Sequence, residues 1–241
     1  TQFSYDADGN LLRSLDAENY LTTHVYDAAG QLIQTTRHSQ AVADINSAPS
    51  VDVNDLVEYF FYDLRGQKIA DVDAQGFLHE YQYSENDHSQ TTIHYQNRLN
   101  EVDPATTSIA SLRTLASGPQ DRVETQQFDD QQRLLKSISA EGLITQYEYD
   151  TQGNLVRSTQ SDQNDAANVR HERTRYDEFN RVTGELNRAG SALYRSDMTA
   201  QEIASLYTQY GTQYQYNDDN LRIKTIDING HTSYHYFDTQ G

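Results

Sequence analysis

The acidic segment Asp6–Asn10 (DADGN) has the residue types of a cation-binding loop. It brings carboxylate and amide oxygens together, and calcium is bound by oxygens of this kind. The bidentate glutamate that completes a calcium loop is missing downstream, and other copies of this motif replace Asp8 with Ala, Gln or Arg. The same residue types are also those that a tight turn selects. We therefore predict a turn here and no metal site.

Histidines and neighbouring acids could in principle ligate zinc or exchange protons. His231 and His235 have a suitable spacing for zinc on a helix. The repeat pattern described below predicts a strand there, on which residues four apart are separated by roughly 13 Å. His79–Glu80 and Asp87–His88 are adjacent pairs, and neighbours on a strand point to opposite faces. None of these pairs predicts a metal centre or an acid–base pair.

The sequence carries no motif of nucleophilic or nucleotide-dependent catalysis. It has no Gly-x-Ser-x-Gly elbow, no Gly-rich phosphate loop and no dinucleotide fingerprint. It also has no cysteine, which excludes thiol chemistry and thiolate ligands. Acidic residues are so frequent that facing carboxylates are expected from geometry alone. We predict no catalytic, cofactor-binding or metal-binding residue, and hence a protein that is not an enzyme.

Composition limits the partners of the chain. Its 241 residues contain 36 acidic and 18 basic side chains, a net charge of −18, and binding to nucleic acid requires clustered cations. Its apolar runs are far shorter than the roughly 20 residues that a bilayer-spanning helix needs. The 18 Tyr and 7 Phe residues are more aromatics than disordered segments contain. We predict an ordered chain without nucleic acid binding or membrane insertion.

A short motif recurs nine times; it begins with an aromatic residue and Asp in seven copies, and with Tyr83-Ser84 and Tyr216-Asn217 in two degenerate copies. Consecutive copies are 21 residues apart in four of the eight intervals, and the other intervals are longer. This regularity indicates a repeat protein. The anchor residues of the copies are Tyr5, Asp6 and Gly9; Tyr26, Asp27 and Gly30; Tyr62, Asp63 and Gly66; Tyr83; Phe128 and Asp129; Tyr149, Asp150 and Gly153; Tyr176 and Asp177; Tyr216; and Phe237 and Asp238.

Each 21-residue unit contains two turns and therefore two strands. Gly, Asn or Asp usually stands four residues after the anchor, where a turn needs positive φ. A second turn follows, as in Asp16–Asn19 and Asp73–Gly76. Segments such as Tyr81–Tyr83 alternate and place their rings on one face. We predict an all-β fold of repeated antiparallel hairpins in a curved sheet or shell wall, with one or two short inserted helices.

The longer intervals carry insertions, which contain every proline of the chain. The insertions cover approximately residues 38–53, 96–119, 160–170 and 191–211, and the prolines are Pro49, Pro104 and Pro119. A capping box at Thr199–Glu202 and apolar residues at helical spacing predict a helix over 199–210. A weaker pattern predicts a helix over 107–115, and residues 39–50 resemble a surface loop. These helices are expected to cover the sheet, and docking of a neighbouring module is the alternative role.

The Tyr-Asp-x-x-Gly motif with its 21-residue step resembles the RHS/YD-repeat family along nearly the whole chain. That family includes the B and C subunits of insecticidal ABC toxins, polymorphic RHS toxins, wall-associated proteins and animal teneurins. The resemblance implies hairpins that spiral into a hollow β-shell, which in the toxins encloses a toxic polypeptide. It also implies a bacterial protein that is secreted or lies on the cell surface. The family's self-cleaving aspartyl site has no counterpart here.

The resemblance leads to two hypotheses of function. The first is a non-catalytic wall segment of an RHS-type shell, with the remainder of a larger RHS protein and an enclosed toxin polypeptide as partners. The second is a cell-surface adhesion or carbohydrate-binding module, because exposed Tyr and Phe rings stack on sugars. Burial of the rings of Tyr81, Tyr83, Tyr147 and Tyr149 would favour the first. We expect residues 1–241 to form one repeat region truncated at both ends, with interruptions at the degenerate Tyr83 and Tyr216 copies.

Overall fold

The computed structural model describes residues 1–100, 102, 107–165 and 167–237. These residues form seventeen strands and three helices. The chain divides into two compact units, Thr1–Glu124 and Thr125–Gly241. Every strand pairing is antiparallel, so the predicted all-β class of repeated hairpins is confirmed.

The first unit is a meander in which each strand pairs with the next one along the chain. Tight turns make this possible, because antiparallel neighbours need only a few connecting residues. Its strands are β1 (Gln2–Tyr5), β2 (Leu11–Leu15), β3 (Tyr20–Tyr26), β4 (Leu32–Ala41), β5 (Leu56–Tyr62), β6 (Lys68–Val72), β7 (Leu78–Ser84) and β8 (Ser89–His94).

The second unit repeats the same arrangement, again with each strand paired to its successor. Its first strand, β9 (Arg122–Phe128), begins just before the boundary and pairs with β10 from Thr125 onward. The other strands are β10 (Leu134–Ile138), β11 (Leu143–Tyr149), β12 (Leu155–Asp162), β13 (Arg170–Tyr176), β14 (Val182–Leu186), β15 (Gly211–Tyr216), β16 (Arg222–Ile226) and β17 (Thr232–Tyr234). Both units are therefore built from the same hairpin.

The described residues form three helices: α1 (Ile109–Ala116) and α3 (Ala200–Tyr210) lie within predicted insertions, and α2 (Arg188–Leu193) begins shortly before the last one. α3 has the predicted capping box, in which the Thr199 and Glu202 side chains bond each other's backbone N–H groups. The shorter α2 was not predicted. It begins after Asn187, whose side chain accepts a hydrogen bond from the backbone N–H of Gly190.

The helices cover sheet surface and form the apolar core of each unit. In the first unit, Leu112 and Ala116 of α1 are fully buried in a cluster that includes Val72 and Leu78. In the second unit, a smaller cluster joins Leu186 of β14 to Leu206 and Tyr207 of α3. The predicted covering role of the inserted helices agrees with this packing.

One predicted boundary is wrong. Residues 39–41 belong to β4 and not to a surface loop. The strand is prolonged because Ala41 pairs with Tyr20 and the N–H of Val42 donates to the carbonyl of Asn19. Pro49 lies outside the strands, as expected for a residue that cannot donate to a ladder. Pro104 lies outside the described residues.

Candidate functional site

The residue after the repeat anchor organises the hairpin turn. In seven copies its side-chain oxygen accepts hydrogen bonds from the backbone N–H groups two and four residues further on. The acceptors are Asp6, Asp27, Asp63, Asp129, Asp150, Asp177 and Asn217. In the first copy, the other oxygen of Asp6 accepts from the Asn10 amide. These oxygens are thus engaged by the turn.

The fourth residue after the anchor has positive φ in the same seven copies. Glycine occupies four of these positions, at Gly9, Gly30, Gly66 and Gly153, and adopts this conformation without a steric cost. The other three are Gln132, Asn180 and Asn220, with φ between 62° and 65°. At these three positions the side chain three residues earlier, Asp129, Asp177 or Asn217, holds the turn, and a residue other than glycine is tolerated.

The degenerate copies at Tyr83 and Tyr216 do not interrupt strand pairing, contrary to expectation. At Tyr216, Asn217 replaces aspartate as the turn acceptor, so β15 and β16 pair normally. At Tyr83 the turn is built differently. The pairing runs on to Ser84 and Ser89 without a bulge, and His88 takes the positive φ of 50°.

The anchor tyrosines tie consecutive repeats together. In six copies the hydroxyl donates to the carbonyl six residues after the preceding anchor, at 2.9–3.2 Å. We call these the inter-repeat tyrosine bonds; they run from Tyr26 to Leu11, Tyr62 to Leu32, Tyr83 to Lys68, Tyr149 to Leu134, Tyr176 to Leu155 and Tyr216 to Val182. Each acceptor is the first residue of a strand. The bond explains why tyrosine usually occupies the anchor.

Three anchors lie outside this pattern. Tyr5 precedes the first acceptor in the chain and is 58% exposed. Phe128 and Phe237 have no hydroxyl group. Phe237 follows β17, and Asp238 lies outside the described residues. The acceptors are backbone carbonyl groups, which the sequence does not distinguish from one another, so these bonds could not be predicted from it.

Asp71 is the centre of a polar cluster on one face of the sheet in the first unit. Its carboxylate accepts hydrogen bonds from Lys68 Nζ at 2.8 Å, His79 Nδ1 at 3.0 Å and the Tyr81 hydroxyl at 2.7 Å. Burial raises the pKa of Asp71, but these three bonds outweigh it and lower the pKa to about 2. The bond to Asp71 raises the pKa of His79. A carboxylate held ionised so firmly is unsuited to proton transfer near neutral pH.

Glu80 forms a second cluster on the opposite face, as the alternation along β7 predicts. Its carboxylate accepts from Arg113 Nε at 2.9 Å, Arg113 Nη2 at 2.5 Å and the Tyr95 hydroxyl at 2.8 Å. Burial raises the pKa of Glu80, but the Arg113 and Tyr95 bonds lower it overall. The bidentate arginine joins α1 to the sheet. This cluster therefore fixes a helix.

A Thr–His–Asp chain of hydrogen bonds resembles a catalytic relay. His38 Nδ1 lies 3.2 Å from Asp55 Oδ2, and His38 Nε2 lies 3.3 Å from Thr23 Oγ1. Asp55 also accepts hydrogen bonds from the backbone N–H groups of Ser39 and Asp52. These bonds fasten the loop between β4 and β5 to the strand. These hydrogen bonds were not predicted, because Thr23, His38 and Asp55 are far apart along the sequence.

The two histidines that resembled a zinc pair have separate partners. His231 Nδ1 is 3.1 Å from Asp227, and His235 Nε2 is 3.2 Å from Thr225. Within residues 1–100, 102, 107–165 and 167–237, no group of three or more His, Cys, Asp or Glu side chains could hold a metal ion. In the same part of the chain, no helix is long and apolar enough to cross a bilayer.

Comparison with known proteins identifies the repeat. Residues 5–40 and 128–165 match the family model of the RHS repeat. These two stretches are RHS repeats. The match covers one stretch of hairpins in each unit, and both stretches contain the Asp-organised turn and an inter-repeat tyrosine bond. No curated protein sequence matches the chain.

Solved toxin-complex structures share the fold. The Tc holotoxin pore of Photorhabdus luminescens aligns with 92% of the chain at 14% identity and a TM-score of 0.63. The TcdB2–TccC3 structure, and the TcdB2–TccC3 structure without its hypervariable C-terminal region, each align with 99% at 15% identity and a TM-score of 0.68. The chain spans about a tenth of the length of those chains. At such low identity the likeness is one of fold.

Proposed function

We propose that this RHS-repeat chain is a non-catalytic wall segment of a β-shell that encloses a toxin or other polypeptide in a secreted bacterial protein. The inter-repeat tyrosine bonds carry the proposal. They join one hairpin to the next in addition to the strand ladder, which suits a continuous wall that must not open between repeats. A neutral hydrogen bond contributes about 0.5–1.5 kcal/mol, so the effect accumulates with the number of repeats.

The likeness to toxin-complex structures supports the same function. The chain aligns over nearly its whole length with a small part of much longer chains. A segment of this size is consistent with one stretch of wall within a larger RHS protein. We therefore propose one continuous repeat region, with the remainder of that protein and its enclosed polypeptide as partners.

The aromatic rings favour a wall over a carbohydrate-binding surface. Tyr81, Tyr147 and Tyr149 are half-buried, while Tyr83 is 42% exposed. The hydroxyls of Tyr81, Tyr83 and Tyr149 donate to groups of the sheet itself. A sugar-binding face requires open rings and free polar groups beside them. Most of these four tyrosines are engaged in packing and hydrogen bonds within the protein.

Electron microscopy of the full-length protein, combined with limited proteolysis and mass spectrometry, tests the proposal. We expect a hollow particle and a second polypeptide protected from protease. The matched control is the same protein with the protected polypeptide deleted, which should give an empty particle of the same outline. An open ribbon without a protected fragment would contradict enclosure and would favour the adhesion module.

A further inference from the structure

Three arginines form a row on one face of the second unit. Arg157 of β12 and Arg173 of β13 are directly paired across the two strands, and Arg175 follows two residues after Arg173 on the same face. Helices α2 and α3 contact this part of the sheet. We refer to Arg157, Arg173 and Arg175 as the arginine row.

Aromatic rings from the insertion cover the arginine row. The Arg173 guanidinium lies 3.8 Å from the centroid of the Tyr194 ring, and the Arg175 guanidinium lies 4.4 Å from that of Tyr207. Room for this stacking depends on Gly184, where an added Cβ would lie 2.8 Å from the Tyr207 ring and 2.9 Å from Arg175 Nε. The Nε atoms of all three arginines are buried and have no hydrogen-bond partner among the described residues.

The negative charge needed to balance the row is mostly missing. Arg157 bonds Glu148 at 2.7 Å. Among the described residues, Arg175 has only the neutral Gln213 amide as its hydrogen-bond acceptor, at 3.0 Å. Arg173 has no carboxylate within ion-pair distance in the described part of the chain, and its contact is with a ring. Partly desolvated cations without counter-charges are unfavourable. They are also unexpected in a chain with a net charge of −18.

The neighbouring histidine adds a donor and no negative charge. His171 Nδ1 lies 3.3 Å from Arg157 Nη2, and because arginine can only donate, that nitrogen must accept. The proton of a neutral His171 therefore resides on Nε2. Burial, together with the charges of Arg157 and Arg173, lowers the pKa of His171.

A cavity opens beside the row. It has a volume of about 300 Å³ and is lined by Arg173, Arg175, Tyr194, Tyr207 and Ile203, among others. From this geometry we infer that Arg173 and Arg175 of the arginine row bind an oxyanion, a phosphate or a carboxylate group, which supplies their missing counter-charge. The planar guanidinium donates two parallel hydrogen bonds to such a group. The inference does not depend on the proposed shell function.

Phosphate titration of the folded chain tests the inference. ³¹P NMR line broadening and the thermal midpoint are measured with inorganic phosphate at constant ionic strength, using chloride as the compensating salt. We expect saturable broadening and a midpoint that rises with phosphate concentration, because a ligand that binds only the folded state stabilises it. Arg173→Gln should weaken binding about tenfold or more.

Arg222→Gln is the matched control. Arg222 also stacks on a tyrosine ring, 4.9 Å from the centroid of Tyr214, but it lies on β16 outside the row. This variant should bind phosphate as the wild type does. Arg173→Lys provides a second test in case Arg173→Gln misfolds, since it keeps the charge but loses the two-pronged donor and should bind more weakly.

The outcomes distinguish two chemical classes of oxyanion, and they include results that would overturn the inference. Tighter binding of phosphate than of acetate or succinate would indicate a phosphate-type ligand. Carboxylates that bind as tightly as phosphate would indicate an acidic side chain of a polypeptide. The absence of saturable binding in the wild type, or equal binding by Arg173→Gln and the wild type, would overturn the inference.

Discussion

The two units use inserted helices in opposite ways. In the first unit, Arg113 of α1 reaches down to Glu80 of the sheet, and the ion pair is completed by Tyr95. In the second unit the arginines belong to the sheet, and the insertion covers Arg173 and Arg175 with rings and no carboxylate. The same architecture therefore pairs the buried charge in the first unit and leaves arginine charge unbalanced in the second. Charge compensation, and not the fold, distinguishes a structural insertion from a candidate binding site.

Truncating the buried leucine of each helix tests how strongly the helices hold their sheets. Leu112→Ala in α1 should cost about 3 kcal/mol, because Leu112 is fully buried in the larger apolar cluster. Leu206→Ala in α3 should cost less, about 2 kcal/mol, because its cluster is smaller and Leu206 retains slight exposure. Urea unfolding followed by circular dichroism measures both. Equal losses of unfolding free energy in the two variants would show that α1 and α3 hold their sheets equally strongly.

Replacing the arginine of each unit by methionine should give different results. Arg113→Met leaves the Glu80 carboxylate buried without its cation, and we expect a loss of about 2 kcal/mol, reduced by the partial exposure of Arg113. Arg173→Met removes a charge without a counter-ion, so the free energy of unfolding should stay within about 0.5 kcal/mol of wild type in the absence of oxyanions. A large loss for Arg173→Met would show that the arginine row is structural.

Acid should weaken the first unit through Asp71. Its pKa is about 2 in the folded protein against an ordinary value of 3.8, so its stabilising effect is present above about pH 4 and is lost as the pH falls through 2. The loss should amount to about 2 kcal/mol. Asp71→Asn should remove this part of the acid dependence and leave the part that comes from other carboxylates with a lowered pKa, such as Glu80. The free energy of urea unfolding at several pH values below 5 provides the measurement.

His79 of the first unit and His171 of the second unit should respond to pH with opposite signs. The pKa of His79 is raised above 6.5, so its contribution is present below pH 6.5 and is lost as the pH rises through the folded pKa. The pKa of His171 is lowered, so its contribution is present above pH 6.5 and is lost as the pH falls. Unfolding curves of His79→Gln and His171→Gln should each lack one of these slopes. If the contributions of His79 and His171 changed with pH in the same direction, the opposite electrostatic surroundings of the two histidines would be contradicted.

The inter-repeat tyrosine bonds should contribute equally in both units. Tyr62→Phe and Tyr149→Phe each remove one hydroxyl and should each cost about 1 kcal/mol, because a strand carbonyl loses its donor. Tyr5→Phe is the control, since no such bond is formed by Tyr5 in this chain. Denaturant unfolding of the three variants is the measurement. A cost for Tyr5→Phe equal to the others would show that the ring environment, and not the bond, matters.

Local signals predicted the hairpins because the turn depends on a few neighbouring residues. The aspartate and the residue with positive φ lie within five positions of each anchor, and the capping box of α3 is contained in Thr199–Glu202. The six-residue α2 escaped prediction because it is too short for helical periodicity and contains Gly190, a poor helix former. Short helices in insertions depend on packing that the sequence does not display.

The polar clusters could not be predicted, since they depend on strand register. Asp71 meets His79 because β6 and β7 pair in one particular alignment. Arg157 meets Arg173 across an insertion of irregular length, which hides the register of β12 and β13 from the repeat period. A shift of one residue would place either partner on the opposite face. The fold was therefore easier to deduce than its chemistry.

The inter-repeat tyrosine bonds all have the same direction, because each hydroxyl belongs to the later repeat and each carbonyl to the earlier one. A chain leaves the ribosome from its N-terminus, so a hairpin that has just emerged still awaits the tyrosine that follows it. Each new repeat completes the one made before it. We therefore expect the sheet to grow vectorially during synthesis, with the youngest hairpin the least secured.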